Sequence, residues 1–127
     1  MSDATDAPDL LSRPLVPIAS EEDAVETCRA AFPRIAAVGG RPVVVHVIEK
    51  AGGAPDKASV EQRELNAVAI FDAARDVVGD GPGTVDTEIA YGTDVAETII
   101  ETGRDLSASA IVFTPRGGSR WIRLLTG

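Results

Sequence analysis

The chain has 127 residues, 44% hydrophobic and 25% charged, and its 20 acids against 12 bases leave a formal net charge of -8. That length fits one domain with a real core. The acid excess excludes a general nucleic-acid binder, which needs a basic stripe to displace phosphate counterions. The single cysteine, Cys28, excludes an internal disulfide and a cysteine-based zinc cluster.

Residues 1–13 carry no basic stretch leading into an apolar core, so they predict a flexible acidic leader and no signal peptide. "RPLVPIAS" predicts a short buried first strand. Ser20 then opens a helix over "SEEDAVETCRAAFPRIAAV", with Asp23 three residues on and acids in the first turn. Ala24, Val25, Cys28, Ala31, Phe32 and Ile35 recur at helical spacing as its inner face, and Pro33 predicts a kink or early end. A glycine pair, Gly39 and Gly40, stops it, and the β-branched run "PVVVHVIEK" predicts a strand covered on both faces. That run falls far short of the roughly 20 residues that cross a bilayer, and no membrane association is expected.

After the loop "AGGAPDKAS", a second helix is expected from Ser59, with Gln62 closing a capping box and Ala67, Ile70, Phe71, Ala74 and Val78 facing inward. "GDGPG" ends it. "TVDTEIAY" alternates apolar and polar residues and predicts an edge strand. Gly92 turns the chain into a third helix, "TDVAETIIETGRDL", with Thr93 as its cap. "SASAIVF" predicts a fourth strand, and a fourth helix is expected from about Ser119 through "SRWIRLLT". Strands and helices alternating in this way predict a right-handed, largely parallel sheet with helices on both faces.

In an open α/β sheet the ligand crevice lies beyond the carboxyl ends of the strands. Of the loops there, Thr114 to Ser119 runs from strand to glycines to expected helix start, the arrangement in which backbone N–H groups and the helix dipole face an anion. Arg116, Arg120 and Arg123 add positive charge; solvated arginines on a tight turn are the alternative. No G-x-G-x-x-G, P-loop or nucleophile elbow is complete. His46 reads as a satisfied core histidine, Cys28 as a small core hydrophobe, and Glu21, Glu22, Asp23 and Glu26 as a solvated helix start.

"PLVPIAS", "VVVHVIE", "YGTDVAETIIETGRDLSASAIVF" and "RGGSRWIRLLTG" together resemble the universal stress proteins, from about Pro14 to Gly127. That family's ATP-binding members carry G-x-x-G, nine residues, then G-S or G-T; Gly117 and Gly127 match the second and third glycines. The resemblance implies a flavodoxin-like, adenine-nucleotide alpha hydrolase-like three-layer α/β sandwich over residues 14–127. Its parallel sheet would run in the order 3-2-1-4, with the family's fifth strand missing. It also implies a stress-response module rather than an enzyme, with ATP or another nucleotide as ligand; the lack of a signal peptide and of a membrane-length run predicts a cytoplasmic protein, and the lone Cys28 and His46, with no second ligand at metal spacing, predict no metal. Pro17, Ile18 and Val47 would line the base pocket, and Thr114, Arg116, Gly117, Gly118, Ser119 and Gly127 would hold phosphates.

Two positions depart from the pattern. Thr114 replaces the first glycine, and Ala19 stands where family members usually carry an aspartate that contacts the adenosine moiety. These departures favour the alternative, an interaction or dimerisation module without nucleotide, and predict weak discrimination between bases. A flavin carrier is disfavoured because only 4% of residues are aromatic. A bare edge on the fourth strand predicts self-association, as a homodimer or otherwise. Lys50 and Lys57 are the only lysines among the bases, and an acid-rich, lysine-poor surface predicts a halophilic protein, since such a surface stays soluble where salt screens charge repulsion.

Overall fold

A computed structural model describes residues 10–50, 57–79, 85–114 and 123–125. The elements are β1 (Pro14–Pro17), α1 (Glu21–Ala37), β2 (Val43–Glu49), α2 (Lys57–Val78), β3 (Asp86–Gly92), α3 (Val95–Asp105), β4 (Ala110–Phe113) and β5 (Arg123–Leu125). They form one sheet in the order β3-β2-β1-β4-β5. β1 pairs in parallel with β2 and β4, and β2 pairs in parallel with β3. The expected parallel order 3-2-1-4 is therefore the one observed, with β3 at one edge.

Alternate residues of the central strands feed two cores, as the period of two requires. Val16 and Val44 join the cluster under α1 and α2, with Cys28, Phe32, Ile35, Ile70 and Phe71. Leu15, Val43 and Val45 form a second cluster on the opposite face, against Ile99 of α3 and Leu106, Ala108 and Ile111. Burying an aliphatic side chain of this size contributes about 1.5–3 kcal/mol, so the fully buried Leu15 and Val16 tie β1 to both layers.

The helix ends follow local chemistry. Ser20 caps α1 through its side chain, which accepts from the Asp23 N–H at 3.0 Å. At the other end Gly39 adopts a left-handed φ of 70°. Its N–H donates to Ala36 O and that of Gly40 to Ile35 O, which satisfies the last carbonyls. Pro33 lies within α1, which runs on to Ala37, so the proline does not end the helix.

Several expectations need correction. α2 already includes Lys57, so Ser59 lies inside the helix and does not cap it. Asp94, not Thr93, caps α3, its carboxylate accepting from the Glu97 N–H at 3.0 Å. The end of the expected flexible leader is anchored: Arg13 N–H donates to Ser109 Oγ at 2.9 Å, Ser109 Oγ to Leu10 O, and Arg41 N–H to Ser12 O. Residues 1–9 lie outside the described ones. The expected fourth helix does not extend over Arg123–Leu125, which is strand β5, antiparallel to β4, with Phe113 opposite Arg123 and Ile111 opposite Leu125. The β4 edge on which self-association was expected to rest is thus paired by the chain itself, in the direction opposite to every other strand.

At the amino ends of the strands, Asp86 of β3 receives Arg41 through two hydrogen bonds, of 2.9 and 3.0 Å, and Arg13 through one of 2.6 Å. These bonds, Arg41's first, hold the Asp86 carboxyl well below the usual carboxylate range. The cluster joins the segment before β1 to the starts of β2 and β3, at the pole opposite the strands' carboxyl ends.

Candidate functional site

Beyond the carboxyl ends of β1, β2 and β4 lies a cavity of about 560 Å³. Pro17, Ile18 and Ala19 reach it from the end of β1, Val45, His46, Val47 and Glu49 from β2, and Ile111, Phe113 and Thr114 from β4. α3 closes one side with Val95, Ala96, Ile99 and Ile100, and the start of α1 contributes Asp23. The walls are largely aliphatic, and Val95 and Ile100 remain partly open to solvent.

The turn from β1 into α1 is held rigidly. The Ile18 N–H donates to Val45 O at 2.9 Å. The Ile18 carbonyl lies 2.9 Å from His46 Nδ1. A carbonyl can only accept, so the proton is on Nδ1, and a neutral His46 ring keeps Nε2 as an acceptor. One residue further, the Ala19 N–H donates to Asp23 Oδ2 at 2.8 Å, and Thr27 Oγ1 donates to Asp23 Oδ1 at 3.1 Å. Asp23 is half-buried and Thr27 fully buried.

At the end of β4, Thr114 Oγ1 is buried with no hydrogen-bond partner among the described residues. Thr114 also lines the cavity, so its hydroxyl is a polar group within reach of whatever occupies it. Cys28, beneath this end of the sheet, has its thiol pushed up to about 12, first by burial and second by the charge of Asp23. It packs as the small hydrophobe expected and carries no nucleophilic character.

The structure therefore brings Pro17, Ile18, Val47 and Thr114 into one cavity. Arg116, Gly117, Gly118, Ser119 and Gly127 lie outside the described residues. Among the described lining residues there is no lysine or arginine, while Asp23 and Glu49 are both present. What the described walls offer is an apolar slot with hydrogen-bonding groups at its rim, suited to the uncharged end of a ligand.

Sequence reasoning missed three things here. Asp23 was assigned to the solvated start of α1, although it lies four residues after Ala19, one helical turn beyond the cavity's edge. His46 is satisfied by Ile18 O as expected, yet it also borders the cavity. The α3 contribution was absent from the sequence reading, although Val95, Ala96, Ile99 and Ile100 recur there at helical spacing.

No protein-family model matches this chain, and no curated protein sequence matches it. Solved structures do. A universal stress protein in complex with cAMP superposes with a TM-score of 0.61 at 12% identity, over 79% of this chain and 75% of its own. The universal stress protein of Archaeoglobus fulgidus gives 0.60 at 18% identity, over 91% of this chain and 84% of its own. A protein of the universal stress protein family from Burkholderia pseudomallei gives 0.59 at 24% identity, over 81% and 80%. The fold is that of the universal stress proteins, a flavodoxin-like α/β sandwich.

Proposed function

We propose that this chain is a stress-response module of the universal stress type that binds a nucleotide, nucleoside end first, in the cavity beyond β1, β2 and β4. The observation that carries the proposal is the convergence of Pro17, Ile18, Val47 and Thr114 on one cavity of about 560 Å³. That volume falls in the range of small-molecule sites. The structural neighbour in complex with cAMP supports the ligand class. Binding rather than catalysis is proposed, because the cavity's described groups supply no activated nucleophile, and Cys28 is buried in the core with its thiol pushed up to about 12.

The phosphates would extend away from Asp23 and Glu49 toward the segment after Thr114, where the sequence places Arg116, Gly117, Gly118 and Ser119. ATP is the ligand to test first. Mass spectrometry of small molecules released from the purified protein, paired with calorimetric titration of ATP, is expected to show a nucleotide and saturable binding. A ligand-free protein that does not bind added nucleotide would favour the interaction module. The partly exposed Val95 and Ile100 at the cavity mouth would then serve as its contact surface.

A further inference from the structure

We propose that the free edge of β3 pairs with the same edge of a second copy of this chain, antiparallel and about a two-fold axis at Ile89. This surface is separate from the cavity and lies on the side of the sheet opposite β5. β3 is seven residues long and, among the described residues, pairs with β2 alone. It contains no lysine or proline, and its register with β2 runs without a bulge, so nothing within the strand blunts it as a template.

The backbone sets the register of the pairing. The Asp86 N–H donates to Pro42 O, and Gly92 O accepts from the Lys50 N–H. Alternation along the parallel ladder therefore turns the backbone groups of the even-numbered residues toward β2, and those of Thr87, Ile89 and Tyr91 outward. A second copy running antiparallel pairs all three only when Ile89 faces Ile89 and Thr87 faces Tyr91. A shift of two residues either way leaves one of the three without a partner in the strand.

The side chains agree with this register. Thr87 Oγ1 lies 3.4 Å from Arg75 Nη2, Ile89 packs on the cluster beneath α1 and α2, and Tyr91 OH donates to Glu64 Oε2. All three thus stand on the α2 side, with Arg75 at the Thr87 end of the edge and Glu64 at the Tyr91 end. Facing Thr87 with Tyr91 brings Arg75 of each copy toward Glu64 of the other, twice about the axis, so the edge is complementary to itself in charge. On the other face Glu88 falls opposite Ala90, and no like charges are directly opposed. Between α2 and β3 runs a groove of about 420 Å³ lined by Val68, Phe71, Arg75, Thr87, Glu88 and Ile89. Val68 is 52% exposed there, and Tyr91, 42% exposed, is the side chain that the second copy sets opposite Thr87, at this groove.

Sedimentation equilibrium of the whole chain over a concentration series is expected to show a monomer–dimer equilibrium. Thr87→Pro removes an outward N–H, leaves the ladder with β2 intact and should weaken the dimer at least about tenfold. Arg75→Glu and Glu64→Arg each set like charges against one another twice and should weaken it about tenfold as well. The double variant exchanges the two charges and should return the dissociation constant to within about threefold of wild type. Thermal unfolding checks that each variant is folded; if Thr87→Pro is not, the charge variants carry the test. A wild type that stays monomeric would overturn the proposal. So would a dimer that none of the substitutions weakens, or one that the single reversals weaken and the double variant does not restore.

Discussion

Replacing Thr114 by valine probes the cavity through stability and binding at once. The two side chains have the same shape, so the substitution removes one hydroxyl and leaves the packing at the end of β4 unchanged. In the free protein that hydroxyl is buried without a partner among the described residues. A buried hydroxyl that lacks a partner costs about 1–3 kcal/mol of desolvation. Valine removes the cost, so Thr114→Val should be more stable by about 1 kcal/mol or more, or roughly 4 °C in melting temperature for a domain of this size. The same hydroxyl is the group a bound ligand would satisfy, so nucleotide affinity should fall about two- to tenfold, the worth of one neutral hydrogen bond. Thermal unfolding of both proteins without ligand, followed by titration with ATP, separates the two effects. A less stable variant would show that Thr114 Oγ1 already has a partner in the free protein, and the argument from an orphaned hydroxyl would fail.

Ser107 ends α3 with a φ of 56°, a left-handed backbone in a non-glycine residue, while its N–H bonds to Arg104 O and that of Ala108 to Gly103 O. Ser107→Gly relieves that strain at some cost in chain entropy and should stabilise by about 0.5–1 kcal/mol in urea unfolding; a loss of stability would refute it. The lowered Asp86 pKa makes a contribution to stability that is fully present above the ordinary value of 3.8 and is lost as the pH falls through the lower folded value. The difference in urea midpoint between wild type and Arg41→Ala should therefore shrink on acidification below about pH 4, and a pH-independent difference would place Arg41's effect in packing.

The framework was legible because the strongest signals were local and redundant. Val43, Val44 and Val45 read as a strand covered on both faces, and the clusters beneath α1 and α3 bear that out. Ser20 and Gly39 marked both ends of α1. Capping was less legible elsewhere, because neighbouring residues compete: Thr93 and Asp94 both have acceptor side chains, and the backbone turn places Asp94 at the cap. β5 was missed because "RLL" is too short for periodicity to separate strand from helix. Its state is set by pairing with Ile111, Val112 and Phe113, a tertiary fact. Asp23 was hidden for a similar reason, since acids in a first turn need no ligand to explain them. Only the bond from Ala19 N–H shows which way the carboxylate folds.

β5 has a bearing on how the sheet ends. Because Arg123 sits opposite Phe113, the points at which the chain leaves β4 and enters β5 are held side by side on adjacent strands. β4 thus has backbone partners on both sides, β1 in parallel and β5 antiparallel, and the outermost strand at this side is only three residues long. So short an edge is a poor template for a further strand. Weakening the β4–β5 pairing would return the apolar run Ala110–Phe113 to the edge, and with it the tendency of one copy to pair with another.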